Sequence, residues 1–284
     1  MAEEPPSVEE EVKRVRRRWR RRTAARVAGL LVLVTTIAAT ARWIGLDPAY
    51  LYAHRGNLRS VLFEEMLAPG PLLEQLGADA PRLVPAAGET LAIAAVGTAI
   101  GLPLAFLLGV AAASNVSPRP VSTAIRTLLG GIRAVPSMVY ALLFVVLAGL
   151  GPVAGALAIA AGTVGDLGRL FADELEEVDP RPAEAVRSAG ASVVATTAAA
   201  RLPQASTAFL AWTLFYLEIN ARKSTVLGIV GAGGIGYPLI TAFRARNYTR
   251  VMAAVVVILV LVVSVEVVAN WLRDRYGLER GRDD

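Results

Sequence analysis

Apolar residues in this chain gather into long runs separated by short polar intervals; they neither alternate nor recur once per helical turn. Thr90–Pro118 and Ala134–Gly165 contain no Asp, Glu, Lys or Arg, and Val251–Leu272 holds only Glu266, near one end. Val27–Ala41 is shorter, but Trp43, Ile44 and Leu46 extend it past Arg42, whose head can reach the interface while its stem lies along the apolar region. Leu202–Leu217 runs up to Glu218. A membrane-crossing helix needs about 20 apolar residues. Gly149–Pro152 supplies a break in the 134–165 run, so the pattern predicts an all-α polytopic membrane protein with six spans, near 24–46, 89–113, 124–149, 152–172, 204–221 and 250–272.

Composition agrees: 55% of residues are hydrophobic and the mean hydropathy is +0.51, too apolar for an ordinary soluble domain. Without cysteine, disulfides and thiolate metal sites are excluded, and the single His54 makes no metal cluster. No G-x-x-x-x-G-K-[ST] occurs, so the P-loop route to ATP hydrolysis is absent from this sequence. Residues 13–22, KRVRRRWRRR, are almost wholly basic and precede the first span. That places the N-terminus in the cytoplasm of a cell-membrane protein, and six spans return the C-terminus there, where Arg273, Arg275, Arg280 and Arg282 agree. The basic block reads as a solvated tail that touches anionic membrane lipid rather than nucleic acid, and it accounts for a pI near 9.9. Ala39-Thr40-Ala41 has the form of a signal-peptidase site, but the basic region before it is long and apolar character resumes at Trp43, which favours an anchor. The organisation expected is a tail at 1–23, a first span at 24–46, an external loop at 47–88, a core at 89–272 and a C-terminal tail at 273–284.

The loop at 173–203 then faces the cytoplasm. Asp179-Pro180 is a helix start, with Asp as N-cap and Pro at the first position, and Gly190 is a C′ residue. On a helix between them, Pro182, Ala185, Val186 and Ala189 share a narrow apolar face, opposite Arg181, Glu184, Arg187 and Ser188. So shallow a face suits a partner's groove better than a core. A second helical stretch, Ser192–Ala200, leads to Leu202-Pro203.

Glu184–Pro203 fits E-A-A-x-x-x-G, nine residues, then I-x-L-P, with Val186 and Ala200 as departures. It resembles the cytoplasmic loop by which ABC-importer permeases grip their ATPase. Arg133-Ala134-Val135-Pro136-Ser137, Gly149-Leu150-Gly151-Pro152, Glu218-Ile219-Asn220-Ala221-Arg222 and the stretch Ser224–Gly236 resemble the phosphonate-importer permeases, from about residue 80 to 272. The resemblance implies a type I importer fold, a homodimeric permease, separate ABC ATPase subunits and an external substrate-binding protein. It also implies no cofactor in this chain, ATP-Mg lying on the partner, and no catalytic or metal site. Pro182, Glu184, Ala185, Val186, Ala189, Gly190, Leu202 and Pro203 are the expected ATPase-coupling residues. A permease for an amino acid such as methionine is the second reading.

Gly231-Ala232-Gly233-Gly234-Ile235-Gly236 also satisfies G-x-G-x-x-G, the dinucleotide fingerprint, and a membrane-embedded oxidoreductase would use it. That motif needs a preceding strand and an acid about 20 residues on; no Asp or Glu lies between Ile219 and Val265. The glycines fit close packing or bent backbone beside a cavity better. A structural membrane scaffold is a third class. The same interval holds Arg222, Lys223, Arg244, Arg246 and Arg250, most of them outside on this topology, where they would draw an anion or snorkel to lipid phosphates. Glu218 and Arg222 stand at i,i+4 spacing and fit a structural pair or a gate. Arg133 with Pro136, and Asp166 with Arg169, raise the same question at interrupted spans. The candidate pathway residues are thus Arg133, Pro136, Glu218, Asn220, Arg222, Ser224, Thr225, Gly231, Gly233, Gly234 and Gly236.

Overall fold

The structure, a computed structural model, describes residues 8–275, so Arg280 and Arg282 lie outside the described residues. Among these every regular element is helical. Two compact units divide the chain after Ser60.

The first unit carries α1 (Val8–Trp43), α2 (Pro48–Ala53) and α3 (Arg55–Arg59). Within α1, Trp19–Trp43 is long and apolar enough to cross a membrane. Three of its threonines are satisfied locally: the hydroxyls of Thr35, Thr36 and Thr40 donate to the carbonyls of Leu31, Val32 and Thr36, each at 2.8 Å. In hydrocarbon that local bond removes the penalty of a bare hydroxyl.

The second unit contains α4 (Pro69–Ala112), α5 (Arg119–Ala134), α6 (Ser137–Ala148), α7 (Pro152–Glu177), α8 (Pro180–Ser188), α9 (Val193–Thr196), α10 (Leu202–Leu227), α11 (Gly236–Arg244) and α12 (Tyr248–Arg275). The α4, α7 and α12 helices are span-length and apolar, while α5 and α6 reach that length and apolarity only together, as a pair bent by 83° that has the form of a broken span or a re-entrant loop. The straight span expected at 124–149 is therefore two half-helices. Its break follows from Val135, held extended at φ −87° and ψ 119° ahead of Pro136. The fifth expected span, 204–221, lies within α10, which is long enough at 26 residues but interrupted by Glu218, Asn220, Arg222 and Lys223. It packs on α4, α7 and α12, and a helix enclosed by others needs no continuous apolar surface. At about 1.5 Å per residue, α4 is about 66 Å long, twice the hydrocarbon thickness. The stretch 69–88, set in the 47–88 loop by the sequence, is helix continuous with the following span.

The centre is the α4–α7 pair. Gly97, Gly101, Ala105 and Gly109 form one i,i+4 row on α4 and are all buried. A Cβ at Gly97 would stand 2.6 Å from that of Ile159, and one at Gly109 would stand 2.8 Å from that of Phe171. Small residues let the two backbones approach, which is how helices associate where lipid is as apolar as the side chains. On its other side α7 receives α5: a Cβ at Gly165 would lie 2.9 Å from the amide of Arg133.

Candidate functional site

The loop between α7 and α10 is built as its sequence dictates. The Asp179 carboxylate accepts from the amide of Arg181 at 3.0 Å and from its Nε at 2.9 Å, capping α8. Both bonds favour the charged form, and the guanidinium is the stronger of the two, so the Asp179 carboxyl titrates below its ordinary range. Gly190 closes the helix at φ +86° with open space around it, so the constraint there is backbone conformation. Ser192 caps α9, and a π-turn at Thr197–Arg201 runs directly into α10.

Of the expected coupling residues, Pro182, Glu184, Ala185, Ala189, Gly190 and Pro203 are exposed, while Val186 and Leu202 are half-buried. The inward side is instead Ala183, 3% exposed, against the π-turn. Ala183 lies just beyond the apolar face drawn from the sequence, beside Val186, and an alanine in a short polar helix carries little signal. Val178 and Leu202, at the two ends of the loop, pack on Ala113, Leu175 and Ala205, the terminal turns of α4, α7 and α10. Gln204 donates to the carbonyls of Ala200 at 2.7 Å and Asp179 at 3.4 Å. The loop that carries α8 is thus tied at its ends to three long helices. Arg201 is buried with its Nη1 on Thr197 Oγ1 at 3.1 Å, and burial followed by the nearby Arg187 charge depresses its pKa.

The glycine-rich stretch is a clamp. The amide of Gly151 donates to the carbonyl of Gly231 at 2.9 Å, and the amide of Ile235 donates to Thr90 Oγ1 at 2.8 Å. A Cβ at Gly233 would lie 2.7 Å from Glu89 Oε1, and one at Gly234 would lie 2.6 Å from Thr90 Oγ1. Gly236 abuts the carbonyl of Thr225. The preceding elements are α10 and a 3-10 turn at Gly228–Val230, so the strand that a dinucleotide turn requires is missing.

The charged pathway candidates separate into two groups. Glu218 faces both Arg222 at 3.5 Å and Arg273 of α12 at 3.4 Å; the second partner carries no local sequence signal. Asp166 does not pair with Arg169, which instead reaches Asp173 at 3.2 Å. It stands between Arg133 Nε at 3.3 Å and Lys223 Nζ at 3.1 Å. Beside it, buried Asn220 donates to Thr98 at 2.9 Å and Thr163 at 3.0 Å, joining α10, α4 and α7. The Ser224 and Thr225 hydroxyls are spent on carbonyls of their own helix, at 2.7 Å each. Pro136 contributes the break before α6. Arg250 of the basic interval is bonded at 2.7 Å to buried Asp79, beside a cavity of about 560 Å³ that Arg82, Glu89 and Tyr237 also line. The cationic excess of residues 222–250 is therefore partly neutralised by acids from α4, α7 and α10.

Several apolar helices, one of them broken, with a capped helix displayed between two long ones, define a multi-pass membrane protein of the importer-permease class. Residues 105–277 match the family of binding-protein-dependent transport system inner membrane components, and the chain belongs to that family. It is 44% identical over 215 residues to the phosphate-import permease protein PhnE of Mycolicibacterium smegmatis, covering 75% of this chain and 40% of that protein. To the phosphite transport system permease protein PtxC of Stutzerimonas stutzeri it is 38% identical over 189 residues, covering 66% of this chain and 69% of the relative. The chain thus spans well under half of the mycobacterial relative. In fold it is similar to a chain of the MetNI methionine ABC transporter in an inward-facing structure, with a TM-score of 0.56 and 22% identity over 70% of this chain and 96% of that one. An amino acid ABC transporter crystallised with histidines gives a TM-score of 0.57 at 18% identity, covering 69% of this chain and 94% of that one.

Proposed function

We propose that this chain is the transmembrane permease subunit of an ATP-driven importer for phosphonate or a related phosphorus oxyanion such as phosphite or phosphate. The observation that carries the coupling is α8: a capped helix whose outer side, with Pro182, Glu184, Ala185 and Ala189, is free, while its ends are tied to α4, α7 and α10. A partner ATPase closing on ATP carries α8 with it, and the spans rock between outward- and inward-open states. ATP-Mg resides on that partner, and the permease holds no cofactor. One α8 per chain calls for two copies to engage two ATPases, and an external binding protein delivers the cargo. The termini are cytoplasmic, and the basic N-terminal tail lies at lipid headgroups. The cargo class rests on the names of the relatives, phosphate-import and phosphite permeases; likeness to a methionine transporter is one of fold alone.

Uptake of labelled methylphosphonate, phosphite and phosphate by cells with and without the gene tests the reading. Gene-dependent uptake competed by oxyanions and not by methionine is expected. Uptake unchanged by deletion in a strain lacking other phosphorus transporters would remove the cargo assignment.

A further inference from the structure

Arg133 is the penultimate residue of α5, at the bend between α5 and α6, and Asp166 lies midway along α7. Their ion pair therefore lies at that bend, against the middle of a helix long and apolar enough to span. Lys223 completes it, so a single carboxylate is shared by two cations and the cluster carries a net positive charge. The neighbouring acids are engaged elsewhere: Glu218 with Arg222 and Arg273, and Asp173 with Arg126 and Arg169. Tyr216 contributes a ring face 5.8 Å from Lys223 Nζ, and no second carboxylate.

An unbalanced charge beside such a helix is costly in lipid and marks a pathway when it persists. Exposure gives the direction. The Asp166 side chain is 14% exposed and that of Lys223 31%, but Arg133 is 58% exposed. A guanidinium that open beside a span-length helix belongs next to water. The helix break adds a further positive contribution: α6 starts next to Arg133 with no side-chain cap on its first amides, so its dipole end is uncompensated.

We propose that Arg133 and Lys223 form a transit site for a tetrahedral phosphorus oxyanion, with Asp166 as its built-in competitor. This rests on the importer reading above and extends it to named residues. In the empty site Asp166 bridges both cations. An arriving oxyanion takes the outward face of the Arg133 guanidinium and the Lys223 ammonium, loosening Asp166; the carboxylate then re-forms its pairs as the anion leaves. A conducting site must bind well enough to be entered and weakly enough to be vacated, and a tethered carboxylate sets that balance.

The test is equilibrium dialysis of labelled phosphite, methylphosphonate and phosphate against the permease–ATPase complex in nanodiscs, without the binding protein or ATP. Asp166→Asn leaves both cations unpaired and is expected to bind oxyanion at least tenfold more tightly than the unaltered protein. Adding R133Q or K223Q to it should remove that binding. Reconstituted with the binding protein, D166N should transport more slowly with a lower KM. R133Q should lose uptake at least tenfold, and Arg133→Lys, which keeps charge and fold, should recover most of it. Equal binding by D166N and the unaltered complex, or full uptake by a folded R133Q, would overturn the transit site while leaving the importer reading intact. Failure of the unaltered complex to import any oxyanion strikes the importer reading instead, and the dialysis arm, which needs no transport, still decides the site.

Discussion

The amide of Gly151 donates to the carbonyl of Gly231 at 2.9 Å, so the turn ahead of α7 and the turn after α10 close on one another. Two motifs far apart in the chain are thereby one structural device. Gly233 sits inside it at φ +82°, with Pro152 Cα 2.9 Å from where a Cβ would stand. Gly233→Ala is expected to lower stability by about 1–3 kcal/mol, from left-handed backbone strain plus the clash. The control is Gly88→Ala in α4, where a Cβ meets nothing within 4 Å; helix propensity makes it neutral or stabilising by up to about 1 kcal/mol. Thermal unfolding of the two variants in detergent checks the contrast.

Gly190 poses the opposite problem, since its φ is +86° but the space around it is open. Asparagine tolerates that conformation and valine does not. Gly190→Asn should retain coupling, whereas Gly190→Val should leave ATP hydrolysis running with uptake reduced several-fold. Parallel ATPase and uptake assays on proteoliposomes read the ratio; equal coupling in both variants would remove Gly190 from the mechanism.

What the sequence carried and what it did not divide along a physical line. Local rules were legible: the Asp179 cap, Pro180 at the first position and Gly190 past the end of α8 all stand where turn chemistry put them. Apolar runs located α1, α4, α7 and α12. Partnerships across the fold were not legible. Asp166 was set beside Arg169, three residues on, but meets Arg133 and Lys223 from other helices. Glu218 has its local partner Arg222 and also Arg273. Ala183 and Gln204 hold the loop to the spans by packing and one amide group, and neither residue type announces that role. Periodicity reports which way a side chain points within its helix, and nothing in it says which helix comes to meet it.

Asp79 and Arg250 tie the N-terminal part of α4 to the start of α12, with side chains 6% and 39% exposed at 2.7 Å. Gln75 also donates to the same carboxylate oxygen at 2.7 Å. Removing the carboxylate strands a cation that solvent can partly reach, so Asp79→Ala should lower stability by roughly 1–3 kcal/mol, below the loss for a wholly buried pair. The reversed pair D79R/R250D should recover part of it. A double-mutant cycle on unfolding midpoints gives the coupling directly.

The Asp179 cap predicts a pH response. Its carboxyl is held below its ordinary 3.8 by the Arg181 side chain and amide. A depressed value means the folded loop binds the proton less readily than the unfolded one. The contribution is therefore full above the ordinary range and is lost as pH falls through the lower folded value. Amide exchange at Arg181 should accelerate in acid relative to Asp179→Asn, which keeps a cap without a titrating group. Parallel pH profiles in the two proteins would exclude this account.

Ala183 and Ala185 lie two positions apart on α8 and face opposite worlds, the first 3% exposed and the second exposed. Ala183 packs toward the π-turn at Thr197–Arg201, so its side chain has no open space to grow into. Ala183→Leu, which adds volume without charge, should therefore destabilise the permease itself by about 1–3 kcal/mol. Ala185→Asp should leave unfolding of the permease unchanged, since the side chain meets only solvent in the isolated chain. Its effect should fall on the partner: an acid on the outer face of α8 would be buried in an apolar groove, and the ATPase should no longer co-purify. Measuring both variants for permease stability and for ATPase retention gives a two-by-two outcome. Loss of stability only in A183L and loss of the partner only in A185D would place the docking face on the Pro182–Ala185–Ala189 side. A folded A185D that still retains its ATPase would move the interface elsewhere on the loop.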